Sequence, residues 1–77
     1  MTPAQCRAAR GLLKWTQDEL ARNAEVSALT VRNFENDKPA LRATVAAIRR
    51  ALEAGGVELT PDGGVRPREQ PAEAKAS

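Results

Sequence analysis

Neither histidine nor tyrosine occurs in this chain, and cysteine, tryptophan and phenylalanine appear once each. Without histidine, the commonest general base of enzymes is missing. A lone thiol cannot build a disulfide framework, and with no imidazole beside it, it cannot complete a tetrahedral zinc shell. These absences argue against an enzyme and against a metal-stapled scaffold, so neither a metal nor a cofactor is expected. Few aromatic and valine residues also disfavour a sheet protein. No apolar run approaches the roughly 20 residues that span a bilayer, and the opening MTPAQCRAAR lacks the apolar stretch of a secretory signal. The expectation is a cytoplasmic, reduced chain with no membrane partner.

What is present favours helices. Of the 42% apolar residues, 15 are alanine, the best helix former. The 77 residues make one small domain. A domain of this size buries only about 60% of its unfolded surface, which favours self-association or a partner. Net charge is +2, spread unevenly: residues 1–54 hold nine basic and six acidic groups, or +3, and residues 55–77 hold three and four, or −1. That surplus permits nucleic-acid binding without demonstrating it.

Punctuation divides the chain. Thr2-Pro3-Ala4-Gln5 reads as a capping box with proline at the first helical position. Cys6, Ala9 and Leu13, with Ala8 and Leu12 beside them, recur at helical spacing. Gly11 weakens this helix unless close packing needs its missing side chain. Thr16-Gln17-Asp18-Glu19 is a second capping box, its acids placed where the helix dipole favours them. That helix runs to about Ala24, with Leu20, Ala21 and Ala24 on one face. Ser27 caps a third helix in which Val31 and Phe34 face inward, closed by Asn36-Asp37-Lys38-Pro39. A fourth helix runs from about Arg42 to Ala54 through Val45, Ile48 and Leu52, and Gly55-Gly56 stops it. Val57–Thr60 and Val65-Arg66 flank the turn Pro61–Gly64 as a short β-hairpin. The remainder, 67–77, reads as a disordered tail. Trp15 and Cys6 are expected in the core, and Arg49-Arg50 on a solvated face.

Residues 16–36 therefore hold two short helices joined by a tight break, which is helix-turn-helix spacing. Ala21 sits where the helices cross, Val26 fills the elbow and Val31 anchors the second helix. This geometry leaves Ala28, Leu29, Arg32 and Asn33 outward, on a helix that suits the roughly 12 Å major groove. Asn33 is equipped to bond adenine in a bidentate manner, and Ala28 or Leu29 to touch a thymine methyl, favouring A·T steps.

The segment RGLLKWTQDELARNAEVSALTVRNFENDKP, followed by ATVAAIRRALEAGGVEL, resembles the XRE family of helix-turn-helix regulators, which contains the lambdoid phage repressors and Cro proteins. The resemblance covers about residues 3–59 and rests on TQDELA, on VS..TV..FE, and on the alanine-rich last helix ending in GVEL. It implies an all-α, four-helix, lambda-repressor-like domain over residues 1–56, with 57–66 as a hairpin extension. It implies base contacts from Ala28, Leu29 and Asn33, joined by Arg32. Gln17, Ser27, Thr30, Asn36, Lys38 and Arg42 are implied as phosphate or backbone contacts. Arg10 and Glu35 match a partly buried ion pair. Two positions depart from the family: Glu25 stands where the turn usually carries glycine, and Asp37 follows Asn36 where glycine is usual. Both place negative charge near the supposed DNA face.

The expected function is a sequence-specific, double-stranded-DNA-binding transcriptional regulator. It would work as a homodimeric repressor that occludes a promoter, with helix 27–36 in the major groove. The fourth helix and Val57–Val65 are the expected dimer surface, because their apolar residues lack enough core to cover them. The competing expectation is a protein-interaction module, an antitoxin or antiactivator, that reuses the fold toward a protein partner.

Overall fold

A computed structural model describes residues 1–68 of the 77. Four helices come first: α1 (Pro3–Leu13), α2 (Gln17–Ala24), α3 (Ala28–Glu35) and α4 (Arg42–Gly55). Two short strands follow, β1 (Val57–Leu59) and β2 (Val65–Pro67). The chain is thus mostly helical, with one small hairpin. None of the described helices is long and apolar enough to cross a membrane.

Local chemistry explains most boundaries. Thr2 Oγ1 accepts the Gln5 N–H at 3.1 Å, and Gln5 Oε1 accepts the Thr2 N–H at 2.9 Å. Thr16 and Glu19 repeat this exchange at 3.0 and 2.8 Å. Each exchange satisfies donors that a helix start leaves orphaned. Ser27 Oγ accepts the Thr30 N–H at 3.0 Å. Two helix ends are less ordinary. Lys14 closes α1 at φ 59° and Glu25 closes α2 at φ 61°, both left-handed without glycine. Asp37 also sits at φ 65°. A side chain there costs about 1–2 kcal/mol, less for Asp. Glu25 lies between the two caps Thr16 and Ser27, and its own N–H is bonded back to the Ala21 and Arg22 carbonyls, which offsets part of that cost.

One core joins all six elements. Leu20, Val31, Ile48, Leu52, Val57 and Cys6 are fully buried, with Ala9, Ala21, Ala24, Phe34 and Ala51 around them. On α1 the inward face is Cys6, Ala9 and half-buried Leu13. Leu12 is 45% exposed and Ala8 is also outside, so the apolar stripe is narrower than the spacing implied. Trp15 is half-buried at the edge of the core rather than within it. Its ring lies over Gly55, where an added Cβ would stand 2.7 Å from Trp15 Cη2.

The hairpin corrects two expectations. Val57 and Leu59 are 1% and 7% exposed, packed in the chain's own core, so they are not an uncovered apolar surface awaiting a dimer partner. Its pairing is antiparallel and internal, with Val57 opposite Pro67 and Leu59 opposite Val65. An isolated two-stranded hairpin is marginal. Here buried Gln5 holds it, its Nε2 donating to the carbonyls of Thr60 and Gly64 at 3.0 Å each. The folded part also runs past residue 66. Pro67 belongs to β2, and the Arg68 N–H donates to the Gly56 carbonyl at 2.7 Å, so the expected tail does not start at 67. Residues 69–77 of that tail lie outside the described residues.

Two helical glycines give opposite expectations. Nothing lies within 4 Å of a Cβ at Gly11, which removes the packing reason for glycine there. Gly11→Ala should stabilise the fold by about 0.5–1 kcal/mol. Gly55→Ala should destabilise it, because the stiff Trp15 ring must move. Glu25→Gly should add about 1 kcal/mol by relieving the left-handed turn. Chemical denaturation of the three variants beside wild type checks all three signs.

Candidate nucleic-acid interface

The unit of interest is α2, the three-residue turn Glu25–Ser27, and α3. Leu20, Ala21 and Ala24 of α2 face Val31 and Phe34 of α3 within the core. Ala21 leaves room for the crossing, and the Val26 N–H donates to the Ala21 carbonyl at 3.0 Å across the turn. Half-buried Val26 packs into the elbow. With its inner face so committed, α3 turns the remainder outward. Leu29 is 56% exposed and Arg32 is exposed, whereas Asn33 is half-buried. Ala28, also half-buried, packs against the core.

The residues expected as backbone contacts are spread over the start of α2, the start of α3 and the segment from the end of α3 to the start of α4. The Ser27 and Thr30 hydroxyls lie 2.8 Å apart. Ser27 Oγ already accepts from the Thr30 N–H. One hydroxyl donates to the other, which leaves a single O–H of the pair to be offered elsewhere. Asn36, Lys38 and Arg42 are exposed in and beyond the turn that follows α3. A shallow groove lined by Thr30, Asn33, Pro39, Ala40, Leu41 and Thr44 connects α3 to the start of α4. Among the described residues, neither Lys38, Arg42 nor Arg32 has an ion-pair partner. Asp37 and Glu25 are exposed acids at the margins.

Behind the interface lies a buried carboxylate. Glu35, the last residue of α3, is 3% exposed. The Arg10 guanidinium grips it with two bonds, Nε to Oε2 at 2.7 Å and Nη2 to Oε1 at 2.8 Å. Gln17 Nε2 donates to Oε1 at 3.0 Å, and Cys6 Sγ donates to Oε2 at 3.2 Å. Arg7 adds a bond to the Glu35 carbonyl, and Arg10 Nη1 reaches the Trp15 carbonyl at 3.1 Å. Three helices are thereby tied to one side chain. Gln17 is therefore not a freely outward amide: one of its two N–H groups is spent on Glu35.

The electrostatics follow from this arrangement. Burial pushes the Glu35 carboxyl upward, but donors on Arg10, Gln17 and Cys6, with the Arg10 charge, outweigh it and hold it below the ordinary 4.5. The Glu35 hydrogen bond raises Arg10 against the opposing effect of burial. Cys6 is pushed up to about 12, first by burial and then by Glu35, so its thiol stays protonated and unreactive. Cys6 and Arg7 as partners of Glu35 were not legible in the sequence, since 29 and 28 residues separate them from it. Among the described residues no three of His, Cys, Asp and Glu gather as a metal-ligand set.

Compared with protein-family models, the chain matches none, and compared with curated proteins, it matches none.

Stability should depend on Glu35 with a defined sign. Its folded-state pKa is depressed, so its contribution is full above the ordinary carboxylate value of 4.5 and is lost as pH falls through the folded value. The stability advantage of wild type over Glu35→Gln should therefore shrink as pH drops from about 7 toward about 3. Arg10→Met at neutral pH strands the carboxylate and should cost about 3 kcal/mol, read by urea denaturation.

Proposed function

We propose that this chain is a sequence-specific, double-stranded-DNA-binding transcriptional regulator. In this reading α2 and α3 form a helix-turn-helix, and α3 enters the major groove. The observation that carries it is the division of α3. Its inner face is locked by Val31, Phe34 and Glu35, while Leu29, Arg32 and Asn33 stand on one outward face beside the exposed cations Lys38 and Arg42. A rigid helix with polar and apolar tips, flanked by positive charge, is what base reading between two phosphate rails requires.

The roles divide by chemistry. Asn33 offers the paired donor and acceptor that match adenine, and Leu29 meets a thymine methyl. Arg32 reaches guanine or a phosphate. Gln17, Ser27, Thr30, Asn36, Lys38 and Arg42 set the register on the backbone, Lys38 and Arg42 by charge and the rest by hydrogen bonds. Ala28 contributes least, being turned partly toward the core. A single module reads few base pairs, so the working form in this reading is a homodimer on half-sites about one helical turn apart. With Val57 and Leu59 used internally, the outward face of α4 is what remains of the expected dimer surface. Repression by occluding a promoter needs nothing beyond this domain.

The test is a titration against the duplex upstream of the chain's own gene, at two salt concentrations. Wild type should bind with a log–log salt slope of about −3 to −4, if Lys38 and Arg42 of two protomers each displace a counterion. Lys38→Ala should flatten that slope by about 1 per protomer while weakening all sequences alike. An Arg32→Ala, Asn33→Ala pair should lose the preference for the site over random duplex and keep most of the slope. Binding indifferent to both sequence and salt would sink the proposal and favour the alternative, a protein-interaction module of antitoxin or antiactivator type.

A further inference from the structure

Leu41 breaks two local rules at once. It is 76% exposed, the highest value among the exposed large apolar residues Leu12, Leu29 and Leu41. It also occupies the N-cap of α4, at φ −67° and ψ 147°, where it makes no capping bond. The other three helices begin on Thr2, Thr16 and Ser27, each of which caps. Ser, Thr, Asp or Asn at this position satisfies a helix N–H, and leucine does not. An apolar side chain kept outside, at a site where a polar one stabilises the fold, points to a contact made by the side chain itself.

The surroundings indicate what it contacts. Leu41 shares its groove with Thr30 and Asn33 of α3, and with Pro39, Ala40 and Thr44. Lys38 precedes Leu41 by three residues, Arg42 follows it directly, and Arg32 is the neighbour of groove-lining Asn33 on α3. All three cations are exposed and lack ion-pair partners among the described residues, against the exposed acids Asp37, in the same segment, and Glu25, in the turn before α3. Such a rim repels a second copy of itself and complements a polyanion. An apolar ridge between cations matches duplex DNA, whose phosphates border apolar deoxyribose faces and thymine methyls.

We infer that Leu41 is a DNA-contacting residue, packing on the apolar sugar and base edge of the duplex next to the step that Asn33 reads. This rests on the DNA-binding reading above and adds to it a contact that is neither charged nor on α3. Leu41→Ser separates its two roles, because serine restores the missing cap while removing the apolar surface. The probe is a duplex of about two helical turns selected by wild-type protein from a random-sequence pool. Leu41→Ser should melt higher by about 4 °C or more. The same variant should bind the selected duplex about tenfold more weakly. Its salt slope should equal that of wild type, since no phosphate contact is lost. Leu41→Met should recover most of the affinity.

A Leu41→Ser variant that melts higher but binds the selected duplex as wild type does overturns the inference and leaves the DNA-binding reading standing. Loss of binding accompanied by dissociation of a dimer in sedimentation overturns it too, assigning Leu41 to a second copy. Failure of wild type to select any duplex overturns the DNA-binding reading, and the contact with it.

Discussion

Glu35 is the side chain on which the arrangement of α1, α2 and α3 depends. A carboxylate with 3% of its surface exposed must recover in hydrogen bonds what it loses in hydration. It does so with donors from two other helices: Arg10 and Cys6 on α1 and Gln17 on α2. Since Glu35 ends α3, the bond network sets the angle at which α3 leaves the core. The hydrophobic contacts of Leu20, Val31 and Phe34 supply cohesion but tolerate sliding. A bidentate guanidinium–carboxylate pair does not, because its two bonds fix orientation as well as distance. Energetically such a pair roughly breaks even against apolar replacements. Its contribution here is geometric, since it positions the outward face of α3 relative to the first turn of α2.

The same network accounts for how the candidate interface is spaced. Gln17 opens α2 and Glu35 closes α3, so the bond between their side chains joins the two ends of the α2–α3 unit. A shift in one helix is transmitted to the other through a 3.0 Å contact rather than through a flexible loop. Behind it, Gln5 performs a comparable task for the hairpin, bonding two carbonyls on opposite limbs of the turn. Both glutamines lie in the first turn of a helix, Gln5 within its capping box and Gln17 directly after the cap Thr16.

Legibility varied with sequence distance. The caps at Thr2, Thr16 and Ser27, and the ends of the helices, could be read because their partners lie three residues away. The inward residues of α2, α3 and α4 could be read from the helical period. Leu12 was misplaced because periodicity assigns a face without giving its width, and α1 buries only the narrow stripe of Gln5, Cys6 and Ala9. The outward set on α3 followed from the inward set by subtraction. Ala28 shows the limit of that reasoning, since a small residue near the crossing still touches the core.

The sequence by itself determined where helices start and stop, which faces are apolar, and that a glycine-rich turn separates two β-capable segments. These are local matters, decided by side chains reaching a few residues along the chain. Only the tertiary structure decided that Val57 and Leu59 are used inside the domain and that Cys6 joins Arg10 and Gln17 on one carboxylate. It also decided that Leu41 is left outside beside Asn33. Each of these depends on which segments meet after the chain has folded back over tens of residues. Burial is a property of the whole packed assembly, so no window of sequence contains it.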